Sequence, residues 1–249
     1  LCLRLAQEID AEILSCDSLQ VYEGMDIGTA KPTTEEMATV THHGIDVFPV
    51  GITASVHAYS QMAAEAVRDI HARGKAVLVG GGSGFYLKSF LEPVCDEVSI
   101  PEGVRSEVAD LLEEVGLEGL VERLLELNPE GLGELDLRNP RRVVPALERC
   151  MVTGKTVLQL RSEMKALPEP YADMEKRICV LERGDGSLKE RIAKRTRTML
   201  DAGLVGEVAA LLEQGLRTNL AAANAIGYRE TVLHLDGVLS SEAELEETI

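Results

Sequence analysis

The sequence predicts an α/β protein in which helices cover both faces of a parallel sheet and a helical insertion interrupts the core. Short, fully apolar runs alternate with amphipathic helical stretches over residues 1–100, a pattern typical of parallel strands buried between helices. From about residue 101 the helical periodicity continues without a convincing strand. The 249 residues suffice for one large domain, or for a core domain that carries an insertion.

The first part of the core contains two predicted strands. A helix over about residues 2–9, which starts without an N-cap residue, leads into the strand "EILS". The amphipathic helix "SVHAYSQMAAEAVRDIHARG" ends at Gly74, a residue type common at helix C-caps. In "KAVLVGGGSGFYLKSFL" an apolar strand, a glycine-rich turn and a helix follow one another. Residues 1–100 are therefore assigned to the core.

The insertion is predicted over residues 101–177, because residues 104–165 show helical periods only. The run "RICVLERG" then has the composition of a strand that returns to the sheet. Two further helices are predicted in "SLKERIAKRTRTMLDAG" and "GEVAALLEQG". Residues 178–249 are therefore expected to complete the core.

Charge is distributed unevenly along the chain. The net charge of −17 argues against non-specific nucleic-acid binding over the whole surface. One stretch is nevertheless basic, since only Glu148 and Glu163 accompany its cations, which are Arg138, Arg141, Arg142, Arg149, Lys155, Arg161 and Lys165. Charge alone is equally compatible with a nucleic-acid surface and with a solvated helix.

Composition also bears on the cellular compartment. No apolar stretch is long enough to span a bilayer, and the amphipathic first helix lacks the cleavage site of a signal peptide. The five cysteines are dispersed and form no CxxC pair, which favours free thiols in a reducing compartment over a metal site. We therefore expect a cytoplasmic protein that does not bind membranes.

A polar cluster follows the first predicted strand, in "SCDSLQVYEGMDIGTAKP". Asp17, Ser18, Gln20 and Tyr22 bring hydrogen-bonding groups to the strand end, where parallel sheets bind ligands. For Asp17 taken alone, the plain alternative is an aspartate that caps a turn. The cluster as a whole indicates a site for a small polar molecule.

Two glycine motifs receive different interpretations. In "VLVGGGSGFYL" the glycines allow backbone amides to approach an anion, and Ser83 offers a hydroxyl, although a purely steric tight turn is the alternative. The spacing is not GxGxxG, so no dinucleotide site is indicated. "MVTGKT" imitates the end of a phosphate-binding loop, but Arg149 occupies the position of the required first glycine, so we reject that interpretation.

The histidines of "THHGID" do not predict a metal site. Side chains of adjacent residues diverge, so His42 and His43 are poorly placed to share one ion. A structural or substrate-orienting role is favoured for both.

Taken together, these motifs resemble the tRNA dimethylallyltransferases, also called tRNA isopentenyltransferases. The resemblance extends along nearly the whole chain and rests on "DSLQVYEGMDIGTAKPT", "HHGID", "VGGGSGFYLKSFL", "NPRRVVPALE", "DAGLVGEV" and "AIGYRE", in that order. It implies a P-loop-kinase-like core with a helical insertion that grips the anticodon stem-loop. It also implies transfer of a dimethylallyl group from dimethylallyl diphosphate to the exocyclic amine of an adenosine next to the anticodon, assisted by Mg²⁺. We expect the chain to act as a monomer.

The resemblance assigns roles to individual residues. Asp17 matches the general base, while Ser18, Leu19 and Gln20 line the pocket of the flipped-out adenine. Ser83 contributes to both the tRNA site and the diphosphate site. In the insertion, the expected tRNA contacts are Arg105, Arg141, Arg142, Val143, Val144 and Pro145. Pro145 departs from the arginine usual in the family, and we expect a helix to begin there.

One family feature lies outside this sequence. The family's phosphate-binding loop, Gly-x-x-x-x-Gly-Lys-Ser/Thr, would precede the helix that begins near Leu1. We therefore expect a fragment that folds its insertion and keeps weak tRNA affinity without turnover. Three other functions stay open: an adenylate isopentenyltransferase acting on free nucleotide, a small-molecule kinase, and a non-catalytic tRNA-binding module.

Overall fold

The computed structural model describes residues 1–94, 98–182 and 188–249, which form two compact units. Unit 1 comprises Leu1–Phe90 and Asp173–Ile249, and unit 2 comprises Leu91–Ala172. Unit 2 therefore interrupts unit 1 along the chain. Both boundaries fall earlier than the expected positions 100/101 and 177/178.

Unit 1 contains a parallel sheet with the strand order β2-β1-β3, formed by β1 (Ala11–Ser15), β2 (His42–His43) and β3 (Ala76–Gly80). All five residues of β1 are buried, which explains why its sequence is a continuous run and not an alternating one. The predicted parallel α/β core is therefore confirmed. The histidine pair, for which the sequence analysis predicts no strand, forms the short strand β2.

The helices of the two units, in chain order, are α1 (Cys2–Glu8), α2 (Thr34–Thr39), α3 (Val56–Ala72), α4 (Gly84–Lys88), α5 (Glu102–Glu126), α6 (Pro140–Thr153), α7 (Val157–Ala166), α8 (Leu188–Asp201), α9 (Leu204–Glu213), α10 (Leu220–Ala223), α11 (Tyr228–Leu235) and α12 (Glu242–Thr248). In the described residues no helix is both long and apolar enough to cross a bilayer.

Helices cover both faces of the sheet. On one face Ala6 of α1 packs with Ala11 and Ile13 of β1. Successive strand residues point to opposite faces, so Leu14 lies on the other face. There, Met62 of α3 and Leu14 approach the same point beside Gly44. The two helices therefore enclose β1 from both sides.

The strand predicted for "RICVLERG" is wrong over its described part. Residues 177–182 have no regular secondary structure, and Ile178, Val180 and Leu181 are exposed, whereas residues 183 and 184 lie outside the described residues. Apolar composition favours a strand only when a neighbouring strand supplies ladder hydrogen bonds. Within the described residues, no strand pairs with this run.

Unit 2 is helical and has its own hydrophobic core. Helix α5 is interrupted at Gly116, whose φ of 69° lies in the left-handed region. Helix α6 begins at Pro140, where the side chain of Asn139 accepts a hydrogen bond from Arg141 N. The expected helix start at Pro145 is therefore wrong, since that proline lies inside α6. In "MVTGKT", Gly154 ends α6 and Thr156 caps α7, so this motif is a turn between helices.

The carboxyl ends of β1 and β3 approach each other closely in unit 1. Cys16 N donates to Gly80 O at 2.8 Å, and Ser83 N donates to Cys16 O at 3.1 Å. Between these two bonds, a Cβ atom on Gly81 would lie 2.2 Å from Cys16 O. Only glycine allows this backbone approach, and it brings the turn after β3 against the turn after β1.

A buried ion pair lies at the amino-terminal end of β1. Glu12 is only 3% exposed. Arg73 donates to it through Nε at 3.0 Å and through a terminal nitrogen at 2.8 Å, and His43 Nε2 lies 2.7 Å from Glu12 Oε2. The Arg73 guanidinium lowers the pKa of Glu12 to about 2, against the opposing effect of burial.

The first prediction concerns the pH dependence of stability. The folded-state pKa of Glu12 lies below its ordinary value of 4.5. Its contribution is therefore present above pH 4.5 and lost as the pH falls towards about 2. Glu12→Gln should lower the free energy of urea unfolding by about 3 kcal/mol at pH 7, and the difference from wild type should shrink on acidification. The exposed Glu8→Gln serves as control, and a pH-independent loss would contradict this assignment.

The second prediction tests the backbone approach at Gly81. Gly81→Ala should force the ends of β1 and β3 apart, because the added Cβ meets the Cys16 carbonyl. We expect the melting temperature to fall by several degrees, which corresponds to a loss of about 1–3 kcal/mol. Gly82→Ala is a matched control, since no atom lies within 4 Å of a Cβ built there. Equal melting temperatures for the two variants would refute the steric argument.

Candidate active site

Asp17 lies in the turn that follows β1. Its Oδ1 accepts hydrogen bonds from Leu19 N at 2.8 Å and from Gln20 N at 3.3 Å, so this oxygen holds the turn together. Within the described parts of the chain, Oδ2 makes no hydrogen bond, and the residue is half-buried. The carboxylate is thus fixed in orientation with one oxygen left to accept a proton.

Ser18 and Ser83 are in contact just beyond the carboxyl ends of β1 and β3. Ser18 N donates to Ser83 Oγ at 2.8 Å, although the two residues are 65 positions apart in the sequence. Ser83 Oγ acts here as an acceptor, so its own O–H is left to donate to a further partner. The structure therefore brings together three residues that the resemblance singles out: Asp17, Ser18 and Ser83.

Gln20 connects this turn with the segment that follows. Its Oε1 accepts from Ser15 Oγ at 2.9 Å, and its Nε2 donates to Thr29 O at 3.3 Å. Both ends of the amide are therefore used inside the protein, which orients the side chain. Leu19, which is also expected in the adenine pocket, is half-buried in the same turn.

Buried aromatic and thiol groups lie next to the Asp17 turn. Tyr59 donates to Ser15 O at 2.9 Å and stacks on Tyr86 with ring centroids 3.8 Å apart. Burial raises the pKa of the Cys16 thiol to about 11, and the nearby charge of Asp17 adds to this shift. Burial likewise raises the pKa of Tyr86 to about 12. The thiol therefore stays protonated at neutral pH and is a poor nucleophile.

The segment "MDIGTAK" is held by helices close to the C-terminus. The Glu207 carboxylate accepts from the backbone amides of three consecutive residues, which are Asp26 at 3.1 Å, Ile27 at 2.6 Å and Gly28 at 3.3 Å. Tyr228 O–H donates to the same carboxylate at 2.6 Å. A Cβ on Gly28 would lie 2.4 Å from the Tyr228 ring. The motifs "DAGLVGEV" and "AIGYRE" contribute to the family resemblance, but the sequence alone predicts no role for their residues.

Lys31 links this segment to the end of β2. Its ammonium group donates to Tyr22 O and to Asp26 Oδ1, both at 2.7 Å, and to Asp46 Oδ1 at 2.5 Å. The Lys31 side chain is only 5% exposed, so two carboxylates and a carbonyl satisfy a largely buried cation. Asp46 N in turn donates to Gln20 O at 3.2 Å, which joins Lys31 to the Asp17 turn.

Lys31 also lines a groove of about 980 Å³ in unit 1. The facing wall is α8, which contributes Arg191, Lys194 and Arg195. We call this groove the α8 groove; its lining is Asp26, Ile27, Ala30, Lys31, Pro32, Thr33, Thr34, Glu35, Met37, Asp46, Arg191, Lys194, Arg195, Thr198, Met199 and Ala202. Sequence reasoning missed the three cations of α8. Their i, i+3, i+4 spacing was the available signal, because it places them on one helix face.

Three cations of the α8 groove lack the ion pairs that other cations of the described chain form. In the described residues, Arg191, Lys194 and Arg195 form no ion pair, whereas Arg197 on the same helix is paired with Glu246 at 2.6 Å. The lining carries four cations, Lys31 and the three of α8, against the carboxylates of Asp26, Glu35 and Asp46, and the three α8 cations have no ion pair among the described residues. Such a surface is suited to an anion that carries several charges.

Unit 2 presents an exposed basic face on α6. Arg142, Pro145 and Arg149 lie at i, i+3 and i+7 and therefore share one side of the helix. Arg141 and Arg142 are exposed, as are Arg105 and Pro145, and Val144 is half-buried. Lys155 and Arg161, in contrast, are paired with Glu163 and Glu134.

Val143 requires a correction. It was expected to contact tRNA, but its side chain is completely buried in the core of unit 2, where it packs with Leu147 and Cys150. These residues follow the i, i+4, i+7 pattern of a buried helix face. The Val143 side chain therefore stabilises the insertion and is not accessible to RNA.

The described residues contain no group of three or more His, Cys, Asp or Glu side chains placed to hold a metal ion. The two histidines of "THHGID" are used inside the protein: His43 contacts Glu12, and His42 Nδ1 lies 2.7 Å from Val40 O. Both rings therefore have partners within the protein, whereas the sequence analysis leaves a structural or a substrate-orienting role open.

Comparison with known proteins places the chain in a family. Residues 20–249 match the family described as IPP transferase. The tRNA dimethylallyltransferase of Opitutus terrae is 51% identical over 247 residues, which is 98% of this chain and 79% of the relative. The tRNA dimethylallyltransferase 2 of Geotalea uraniireducens is 37% identical over 249 residues, covering 100% and 78% of the two chains.

Solved structures agree with this placement. The tRNA delta(2)-isopentenylpyrophosphate transferase of Staphylococcus epidermidis is similar over 99% of this chain and 79% of its own, with a TM-score of 0.63 and 34% identity. A eukaryotic dimethylallyltransferase acting on tRNA gives a TM-score of 0.83 at 25% identity, covering 100% of this chain and 62% of its own. The chain belongs to the IPP transferase family, whose named relatives are tRNA dimethylallyltransferases.

Proposed function

We propose that this protein transfers the dimethylallyl group of dimethylallyl diphosphate to the exocyclic amine of an adenosine adjacent to the anticodon of tRNA. Family membership supports the reaction class, and relatives of this chain bear the name tRNA dimethylallyltransferase. One structural observation supports placing the reaction at Asp17. Asp17 is held at the end of β1 with Oδ2 unpaired in the described residues, beside the contact between Ser18 and Ser83.

Asp17 acts as the general base. As the exocyclic nitrogen bonds to the dimethylallyl carbon, the bond from that carbon to the diphosphate oxygen breaks. The amine proton passes to Asp17 Oδ2, while Oδ1 keeps its bonds to the turn. The adenine amine is a weak nucleophile, so a fixed carboxylate within hydrogen-bond reach accelerates the step.

The α8 groove holds the diphosphate. A leaving diphosphate needs positive charge on its oxygens, and Arg191, Lys194 and Arg195 supply it without first breaking ion pairs within the described chain. Mg²⁺ adds charge when it accompanies the diphosphate. Because Mg²⁺ bound to phosphates needs few protein ligands, no residue is assigned to it.

The insertion binds the anticodon stem-loop. Arg105, Arg141 and Arg142 are exposed cations suited to phosphate contacts, which fix the register of a protein on RNA. A free nucleotide has no stem that would require this surface, so unit 2 favours tRNA over an adenylate substrate. The protein works as a monomer.

The third prediction tests the base. Asp17→Asn keeps an oxygen that accepts from Leu19 N and Gln20 N, but it cannot take a proton at neutral pH. Turnover should fall by about 10²–10⁴, with tRNA affinity nearly unchanged. Transfer is measured with radiolabelled dimethylallyl diphosphate. Asp17→Ala is the comparison, because it also removes the turn hydrogen bonds. Wild-type turnover by Asp17→Asn would refute the assignment.

The fourth prediction tests the insertion surface. Arg142→Ala should weaken stem-loop binding and reduce the slope of log affinity against log salt by about one. Arg123→Ala is the control, since Arg123 is already paired with Glu126 at 2.6 Å on α5. Filter binding at several salt concentrations measures both variants. An unchanged salt slope in a folded Arg142→Ala protein would exclude the phosphate contact.

A further inference from the structure

One aromatic side chain of the protein is more exposed to solvent than the others. The sequence contains five tyrosines and three phenylalanines, all within the described residues. Tyr22, Tyr59, Tyr86 and Tyr228 are buried, and Phe48, Phe90 and Tyr171 are half-buried. Phe85 alone is exposed, at 50% of its surface. An exposed phenyl ring offers its π-face to a bound molecule.

Phe85 lies in the first turn of α4, two residues after Ser83. Two residues span at most about 7 Å, and Ser83 Oγ is 2.8 Å from Ser18 N. Phe85 is therefore anchored close to the Asp17 turn. The neighbouring residue Tyr86 points the other way and stacks on Tyr59, so the helix is fixed on its buried side.

The space beside Phe85 is open. Cβ atoms built on Gly82 or on Gly84 would meet no atom within 4 Å. These glycines flank Ser83, so the chain between Ser83 and the exposed Phe85 has open space beside it. The surroundings thus combine hydrogen-bonding groups on one side with an exposed aromatic face on the other, as nucleobase sites do.

We propose that Phe85 is the stacking surface for the flipped-out adenine. The ring of Phe85 holds the base through its π-face, while the polar groups of the Asp17 turn meet the edge of the base. This inference rests on the proposed function and adds to it a residue that positions the base. It commits to the reacting adenine, not to another base of the loop.

The fifth prediction uses fluorescence. The chain contains no tryptophan, so Phe85→Trp introduces a single reporter. Binding of an anticodon stem-loop RNA should quench its emission, because the base stacks on the indole. The same RNA with an abasic site in place of the reacting adenosine should bind without this quenching. Ile226→Trp, at an exposed apolar position, is the control and should show no quenching with either RNA.

Affinity provides an independent readout. Phe85→Ala should weaken binding of the stem-loop by about 5- to 150-fold, the usual range for loss of one base–aromatic stack. Phe85→Tyr should retain the affinity. Melting curves check that both variants fold, and Val238→Ala tests the effect of trimming another exposed apolar side chain. Wild-type affinity in Phe85→Ala would overturn the proposal.

The outcomes separate this inference from the proposed function. Stem-loop binding without quenching of Phe85→Trp overturns the stacking role and leaves the proposed function intact. Quenching that persists with the abasic RNA overturns the assignment to the reacting adenine. Failure of the wild-type chain to bind the stem-loop in a fluorescence anisotropy titration overturns the proposed function, and the stacking role with it.

Discussion

The candidate site depends on one backbone contact, the approach of Gly81 to the carbonyl of Cys16. Cys16 and Ser83 form hydrogen bonds on either side of this contact, at 2.8 Å to Gly80 O and 3.1 Å to Cys16 O. They place Ser83 Oγ against Ser18 N, which joins the turn after β3 to the Asp17 turn. Without the glycine, the two strand ends would separate, and Ser18 N would lose its hydrogen bond to Ser83 Oγ. The positions of the side chains in the candidate site therefore depend on this backbone contact.

The second support comes from far along the chain. Glu207 binds the amides of Asp26, Ile27 and Gly28 across about 180 positions of sequence, and Tyr228 holds the Glu207 carboxylate. Burial raises the pKa of the Tyr228 hydroxyl, so it remains a proton donor at neutral pH. The loop between β1 and β2 is thus ordered before any substrate arrives. Ordered donors and acceptors need no reorganisation during the reaction, which is the main source of electrostatic catalysis.

The sequence predicts those parts of the fold that local pattern determines. Strands β1 and β3 are short and largely apolar, and α3 and α8 are amphipathic, so their signals lie within each segment. The resemblance predicts that Ser18 and Ser83 belong to one site, and their hydrogen bond agrees with this. Elements that depend on distant partners escape prediction. Strand β2 exists because β1 pairs with it, and residues 177–182 fail as a strand because nothing described pairs with them.

Whether a cation is already ion-paired also depends on residues that are distant in the sequence. Lys31 and Arg195 each add one positive charge to the sequence, but Asp26 and Asp46 pair with Lys31, whereas Arg195 has no ion pair among the described residues. A cation that is already paired orders a loop, and an unpaired one keeps its charge for a ligand. The same contrast separates Lys155, which is bound to Glu163, from the exposed Arg142 in unit 2. A basic run in the sequence thus gives the number of charges, and only the folded chain determines which of them are available to bind a polyanion.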